Sequence, residues 1–230
     1  MVIGRPLVAA AAIAIAPLTA AAQTGGIQVA PVLVSMNAER NITSVRIRNG
    51  RDRAVGFEVD AYAWTQINGH DDLAVTRDLL IAPGVFEIPA GGEQILRLGV
   101  RDFAATSEHA YRIILRELPR PHRDGTVLGF TLEMSLPVFV TPRAAAPDVQ
   151  TRLTGQTLIL ANAGASFAQI AMFDGAERLE TPRYLLAGAS AEIQLPEAPS
   201  ALRLRVAGLD GEQGERTIHA GGQGLSTSVR

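Results

Sequence analysis

Four histidines, His70, His109, His122 and His219, are the first candidates for metal or acid–base chemistry. They are scattered, none has metal-ligand spacing, and there is no H-E-x-x-H. His70-Asp71-Asp72 sets three possible cation ligands side by side, but inside a polar run from Asn68 that reads as a solvated turn. Ser166 and Ser190 sit in GASFA and GASAE, not in the G-x-S-x-G of a nucleophile elbow. Gly91-Gly92 and Gly221-Gly222 read as turn and tail glycines rather than phosphate cradles. A carboxylate pair assembled from distant segments stays open. Nothing positive favours an enzyme, a metal or a cofactor. Arginines placed within apolar β-segments offer a different chemistry: Arg97 in QILRLGV, and Arg112 and Arg116 in YRIILRELP. Strand arginines usually face solvent. One beside an apolar groove could instead hold a carboxylate through a charge-assisted fork.

The elements that would carry such a site are β-strands. Thr126 to Val140, TVLGFTLEMSLPVFV, alternates with period two. One face is Leu128, Phe130, Leu132, Met134, Leu136, Val138 and Val140. The other is Val127, Gly129, Thr131, Glu133, Ser135, Pro137 and Phe139. At roughly 3.3 Å per residue this run would span about 50 Å, far beyond an ordinary strand. Pro137 cannot donate to a ladder and so points to a sheet edge. A long apolar edge with one charge, Glu133, is a hazard unless it is covered or made to pair with another chain. Either it is an ordinary core strand or it is a partner-pairing edge. Other β-segments precede it: Ile27–Met36 with Pro31 inside, Asn41–Asn49 stopping at Asn49-Gly50, Ala54–Trp64, Leu79–Ile88 split by Pro83-Gly84, Glu93–Val100 and His109–Leu118. Their spacing suggests an immunoglobulin-like sandwich, with Trp64 and Tyr62 packed in it.

Residues 1–22 read as a secretory signal peptide. Arg5 is the positive region, Leu7–Ala16 the apolar region, and Ala20-Ala21-Ala22 the small-residue cleavage site. Export permits disulfides, but the chain has no cysteine, so apolar cores must provide the stability. A net charge of −2 argues against nucleic-acid binding. The first domain is expected over residues 23–143 and a stiff Ala/Pro linker over 144–148. A smaller β-domain follows over 149–219, with strands at Leu158–Leu160, Ala168–Phe173, Tyr184–Leu186, Ala191–Leu195 and Leu202–Val206. A Gly/Ser-rich disordered tail is expected over 220–230. The fold class is all-β.

Several blocks together resemble the periplasmic pilus-assembly chaperones of the PapD-like chaperone–usher family. These are IQVAPVLVSM, VRIRNG, the Trp64-Thr65-Gln66 segment with DLLIAPGVFEIPAGGEQILRLGVR, YRIILRELP, and the long strand ending LPVFVTP. The likeness covers residues 27–142 well, and details are most similar to the archaic branch, which serves spore-coat-like pili. Residues 149–218 match only as a short β-rich second domain. The resemblance implies two immunoglobulin-like β-sandwich domains in an L-shaped (boomerang) arrangement with a cleft between them. It implies a non-enzymatic protein of the periplasm, without cofactors, whose partners are pilin subunits and an outer-membrane usher. The long strand would complete the pilin's unfinished sandwich, with Leu128, Phe130, Leu132, Met134 and Leu136 filling its groove. When idle, the same strand could support self-association.

The better-known branches hold the pilin's terminal carboxylate with an Arg in the first strand and a Lys in the long strand. Here those places hold Pro31 or Val32, and Pro137, so Arg97 or Arg112 is the candidate anchor. Two other readings remain. An exported β-sandwich carbohydrate-binding or carbohydrate-active protein would need an aromatic platform or a carboxylate pair, and aromatic residues make up only 5% of the chain. A pilus subunit would be a single domain carrying its own donor strand.

Overall fold

The structure, a computed structural model, describes residues 25–101, 108–119, 131–175, 177–178, 183–195, 197–208, 213–219 and 225–228. They form β-strands joined by turns, with no helix among them.

Ten strands build the first sandwich: β1 (Ile27–Ala30), β2 (Val34–Met36), β3 (Ile42–Asn49), β4 (Val55–Ile67), β5 (His70–Val75), β6 (Leu79–Ala82), β7 (Val85–Ile88), β8 (Glu93–Val100), β9 (His109–Glu117) and β10 (Glu133–Val140). One sheet has the order β1-β3-β8-β6 and the other β2-β10-β9-β4-β5, with β7 also on β4. Prolines mark where the chain crosses between sheets. Pro31 separates β1 from β2, and Pro83 separates β6 from β7. A residue without an N–H suits the point where one ladder stops and another begins. Period-two alternation sends Val45, Ile47, Leu96 and Leu98 inward from the first sheet. Phe57, Val59, Tyr111, Ile113, Leu115, Leu136 and Val138 meet them from the second.

The second sandwich comprises β11 (Asp148–Thr154), β12 (Thr157–Asn162), β13 (Ala168–Asp174), β14 (Glu177–Arg178), β15 (Arg183–Leu185), β16 (Ser190–Gln194), β17 (Ala201–Ala207), β18 (Gln213–His219) and β19 (Leu225–Ser228). Its sheets run β16-β12-β11-β19 and β14-β13-β17-β18, with β15 on β13. Val149, Leu153, Leu158 and Leu160 pack against Ile170, Met172, Leu202 and Leu204 across it. In the first domain, His70-Asp71-Asp72, expected as a solvated turn, instead opens β5 and pairs with the end of β4. In the second, three features depart from the sequence expectations. The stretch expected as a linker already enters β11 at Asp148. Gln213–His219 is a full strand, although its charges hide the alternation. Residues 225–228, expected in a disordered tail, pair with β11 from Asp148↔Ser228 to Thr151↔Leu225. Backbone pairing needs no apolar side chains, so a Ser-rich segment can close an edge that composition does not announce.

Each sandwich carries one buried asparagine at the end of a strand. Asn49 ends β3; its amide donates to the carbonyls of Arg53, Ile88 and Pro89, and its Oδ1 accepts from Arg51 N. Asn162 ends β12; its amide donates to Ser166 O and Leu185 O, and its Oδ1 accepts from Asp148 N and Gly164 N. One short side chain thus satisfies several turn groups that would otherwise be buried without partners. Asn162→Ala is expected to destabilise the second domain by about 3 kcal/mol, because orphaned buried groups cost about 1–3 kcal/mol each. Thermal unfolding measures this directly.

Candidate functional site

The long alternating stretch is where the described fold is least closed. β10 is ordered as a strand from Glu133, and its pairing with β9 reaches back to Leu132, whose carbonyl accepts from Glu117 N at 2.8 Å. On its other side β2 covers only Val138 to Val140, in parallel register with Val34 to Met36. Among the described residues, the edge from Glu133 to Pro137 therefore has no strand beside it. Pro137 falls at the junction, directly before the β2 pairing starts. Side chains along β10 split by parity. Met134 is half-buried against the first core, and Leu136 is buried within it at 5% exposure. Leu132 is half-buried. Leu128 and Phe130 lie outside the described residues.

The opposite face of the same sheet turns toward the second domain. Phe139, on the face otherwise occupied by Glu133, Ser135 and Pro137, is fully buried and stacks on Phe167 with ring centroids 3.7 Å apart. Trp64 and Tyr184 complete the cluster. Trp64 lies 5.8 Å from Phe139, and Tyr184 meets Trp64 edge-on at 5.7 Å. Leu186 is packed with them. Trp64 is therefore a junction residue rather than part of either sandwich core, contrary to the sequence expectation.

Two polar side chains tie the domains around this cluster. Gln66 donates through Nε2 to Tyr184 O at 2.9 Å and accepts through Oε1 from Leu186 N at 3.0 Å, as an extra strand residue would. Glu108 accepts from Thr141 Oγ1 at 2.9 Å and from Phe167 N at 2.7 Å. Burial pushes its carboxyl up to about 7, against the opposing effect of those two hydrogen bonds. The β4–β5 turn also touches the second domain. Gly69 has φ +79°, and a Cβ there would lie 3.2 Å from Ala191 Cα.

Above the cluster is a cleft of about 380 Å³ with a mixed lining. Arg112, His70 and Asp71 lie on the first-domain side, and Leu160, Ile170 and Ile193 from the second. The Arg112 guanidinium lies 3.8 Å from the Trp64 ring centroid, a cation–π contact, and 5.9 Å from that of Tyr184. Its Nη2 reaches Asp71 Oδ2 at 3.5 Å, and its side chain is 17% exposed. Burial lowers its pKa while Asp71 and Tyr184 oppose the shift, and a guanidinium stays cationic at neutral pH. Arg116, four residues further along β9 on the same face, is committed elsewhere: it binds Asp60 at 2.6 Å and Glu133 at 3.0 Å. Arg97 is exposed on the outer face of the other sheet, in register with Ser44 and Ala82, so the structure does not bring Arg97 and Arg112 together.

Among the described residues, no group of three or more His, Asp or Glu side chains is placed to share a metal ion. Sequence reasoning missed Gln66, Glu108 and the junction role of Phe139. Only Phe139 left a signal, as a large aromatic on the otherwise polar face of an alternating strand.

Two sandwiches, a half-open edge strand and a cleft at their junction define a two-domain β-sandwich protein built around an unsatisfied strand edge. The family of pili and flagellar-assembly chaperones, through its PapD N-terminal domain, matches residues 26–146, and this chain belongs to that family. Solved structures agree in fold. A chain of the CsuC–CsuE chaperone–tip adhesion subunit pre-assembly complex, from archaic chaperone-usher Csu pili of Acinetobacter baumannii, aligns with a TM-score of 0.68 at 19% identity, covering 84% of this chain and 98% of that one. A chain of the Salmonella enterica SafA pilin in complex with the SafB chaperone gives 0.68 at 14%, covering 84% and 96%. The E. coli chaperone DraB gives 0.64 at 15%, covering 85% and 98%. No curated protein matches the chain in sequence.

The junction makes a prediction of its own. Gln66→Leu keeps the bulk but leaves Tyr184 O and Leu186 N without partners, so about 2 kcal/mol of interdomain stability should be lost. Trp64 is the single tryptophan; its emission should shift to the red and the unfolding temperature should fall.

Proposed function

We propose that this chain captures pilin subunits in the periplasm, after export directed by residues 1–22, and delivers them to an outer-membrane usher. Capture is by strand donation. The subunit lacks its last strand, and the β10 edge with the segment leading into it supplies the missing backbone partner. The observation that carries this reading is the open edge from Glu133 to Pro137, continuous with an apolar alternating run, in a chain of the pilus-chaperone family. Leu128, Phe130 and Leu132 fill successive positions of the client groove. Met134 stands at the boundary, and Leu136, held in the first core, fixes the register of the donated strand.

Arg112 is the proposed anchor for the client's terminal carboxylate. It is cationic, stacked on Trp64, and has only long contacts, at 3.5 Å each, to Asp71 and to Ser135 Oγ. Its exposure and its sheet set Arg97 apart from the cleft. The free chain hides the same edge by pairing with a second copy of itself. No Phe, Tyr or Trp among the described residues is exposed, so the aromatic platform expected of a carbohydrate-binding sandwich is not present there.

Co-expression with the pilin-like proteins encoded beside this chain, followed by affinity purification, tests the reading. The expected result is a one-to-one complex that is lost when Phe130 and Leu132 are both changed to Asp. Arg112→Ala should weaken capture by roughly tenfold or more, the scale of a lost charge-assisted pair, while Arg97→Ala leaves it unchanged. Failure of any subunit to copurify would remove strand donation. Unchanged capture by Arg112→Ala would remove only the anchor.

A further inference from the structure

Glu108 belongs to neither the strand edge nor the cleft lining of Arg112, yet its position is unusual. The carboxylate spans the domains. Oε2 accepts from Thr141, just beyond β10, and Oε1 accepts from the backbone of Phe167 in the second domain. The same Phe167 stacks its ring on Phe139, so one residue is held from both ends.

Among the described residues, no cation faces the carboxylate to offset its burial. The small cavity that Glu108 lines is otherwise bounded by Trp64, Thr65 and Gln66 of β4, Ala110 of β9, and the turn at 186–189, which brings only Leu, Ala and Gly. The ionisable groups on these elements are engaged or turned away. His109 is exposed. Arg112 is occupied with Trp64 and Asp71. Arg143 is exposed and paired with Glu39 at 2.9 Å. Tyr184 lies within the aromatic cluster.

We propose that Glu108 is a proton-operated latch between the two domains: its neutral carboxyl keeps Thr141 and the Phe167 amide drawn together around the aromatic cluster, and its ionisation loosens them. The neutral acid can donate to Thr141 Oγ1 while still accepting from Phe167 N–H, so both links persist without a buried charge. The ionised form keeps both acceptors but must remain dehydrated, a state relieved when water enters the junction. The closed junction therefore takes up a proton between the ordinary carboxyl value of 4.5 and about 7. Closure is favoured at the acid end of that window and weakens as pH rises through it, with the loss complete above about 7. Trp64 and Arg112 stand on this junction, so the latch also governs the width of the cleft. The inference rests on the junction geometry and is independent of strand donation.

Trp64 reports on the latch in the purified full chain. Its accessibility to acrylamide, followed from about pH 5 to about pH 9, should rise along a one-proton curve with a midpoint near 7. Glu108→Gln, which mimics the neutral acid, should abolish the transition and hold Trp64 at its low-pH accessibility. Thr141→Val removes a hydrogen bond that favours the charged form, so the midpoint should move upward. This second variant decides the matter if Glu108→Gln does not fold. His70→Gln and His109→Gln should leave the midpoint unchanged. A flat profile for the native protein, a transition that survives Glu108→Gln, a midpoint unmoved in Thr141→Val, or a transition lost with either histidine would overturn the latch.

Discussion

The stacking of Phe139 on Phe167 is the contact on which the arrangement of the two domains depends. Phe139 lies on β10, three residues beyond Leu136 and in the stretch that β2 and β9 pair from both sides. The strand is thus clamped at its C-terminal end by two ladders, by the first core beneath Val138 and Val140, and by the aromatic cluster above Phe139. Its other end is bound along one edge only. Tight packing at the junction and an unpaired edge beside it are consequences of a single strand divided along its length.

Polarity is handled differently inside the sandwiches, at the junction and at its rim. Asn49 and Asn162 are uncharged and fully bonded inside the sandwiches, the least costly solution. Gln66 at the junction is also neutral and acts as a substitute for backbone. Arg112 keeps its charge because it lies on a π-face near a carboxylate at the rim. Glu108 combines burial with the lack of a facing cation among the described residues, and burial raises its proton affinity.

Much of this was legible in the sequence because alternation is a local signal. Most strands from Ile27 to Val140 followed from period two, from turn residues such as Asn49-Gly50, and from prolines at the sheet crossings, but β5 did not, because His70-Asp71-Asp72 has the polarity of a turn. The family likeness extended over the same stretch that the PapD N-terminal domain matches. The second domain was half legible. Leu158–Leu160 and Leu202–Val206 announce themselves, whereas Gln213–His219 is masked by charge and Leu225–Ser228 by serine and its glycine-rich surroundings. The junction was nearly invisible, since it is made by residues from separate domains, such as Gln66 and Tyr184, that carry no common pattern. Trp64 illustrates the point. Its type suits a sandwich core, alternation sets it on the face opposite Val55, Phe57 and Val59, and only the tertiary arrangement reveals what that face meets.

Gly69 gives the junction a property of another kind. The tip of the β4–β5 turn rests on the backbone at Ala191, where even one added carbon would be 3.2 Å from Ala191 Cα. The hydrogen bonds and the aromatic stack pull the domains together, and this contact determines where they stop. Spacing between the two halves is therefore calibrated by a missing side chain. A larger residue at position 69 would act as a shim, widening the cleft at Arg112 while leaving every attractive group in place. Relatives that needed a cleft of different width could reach it through this one position without redesigning either sandwich.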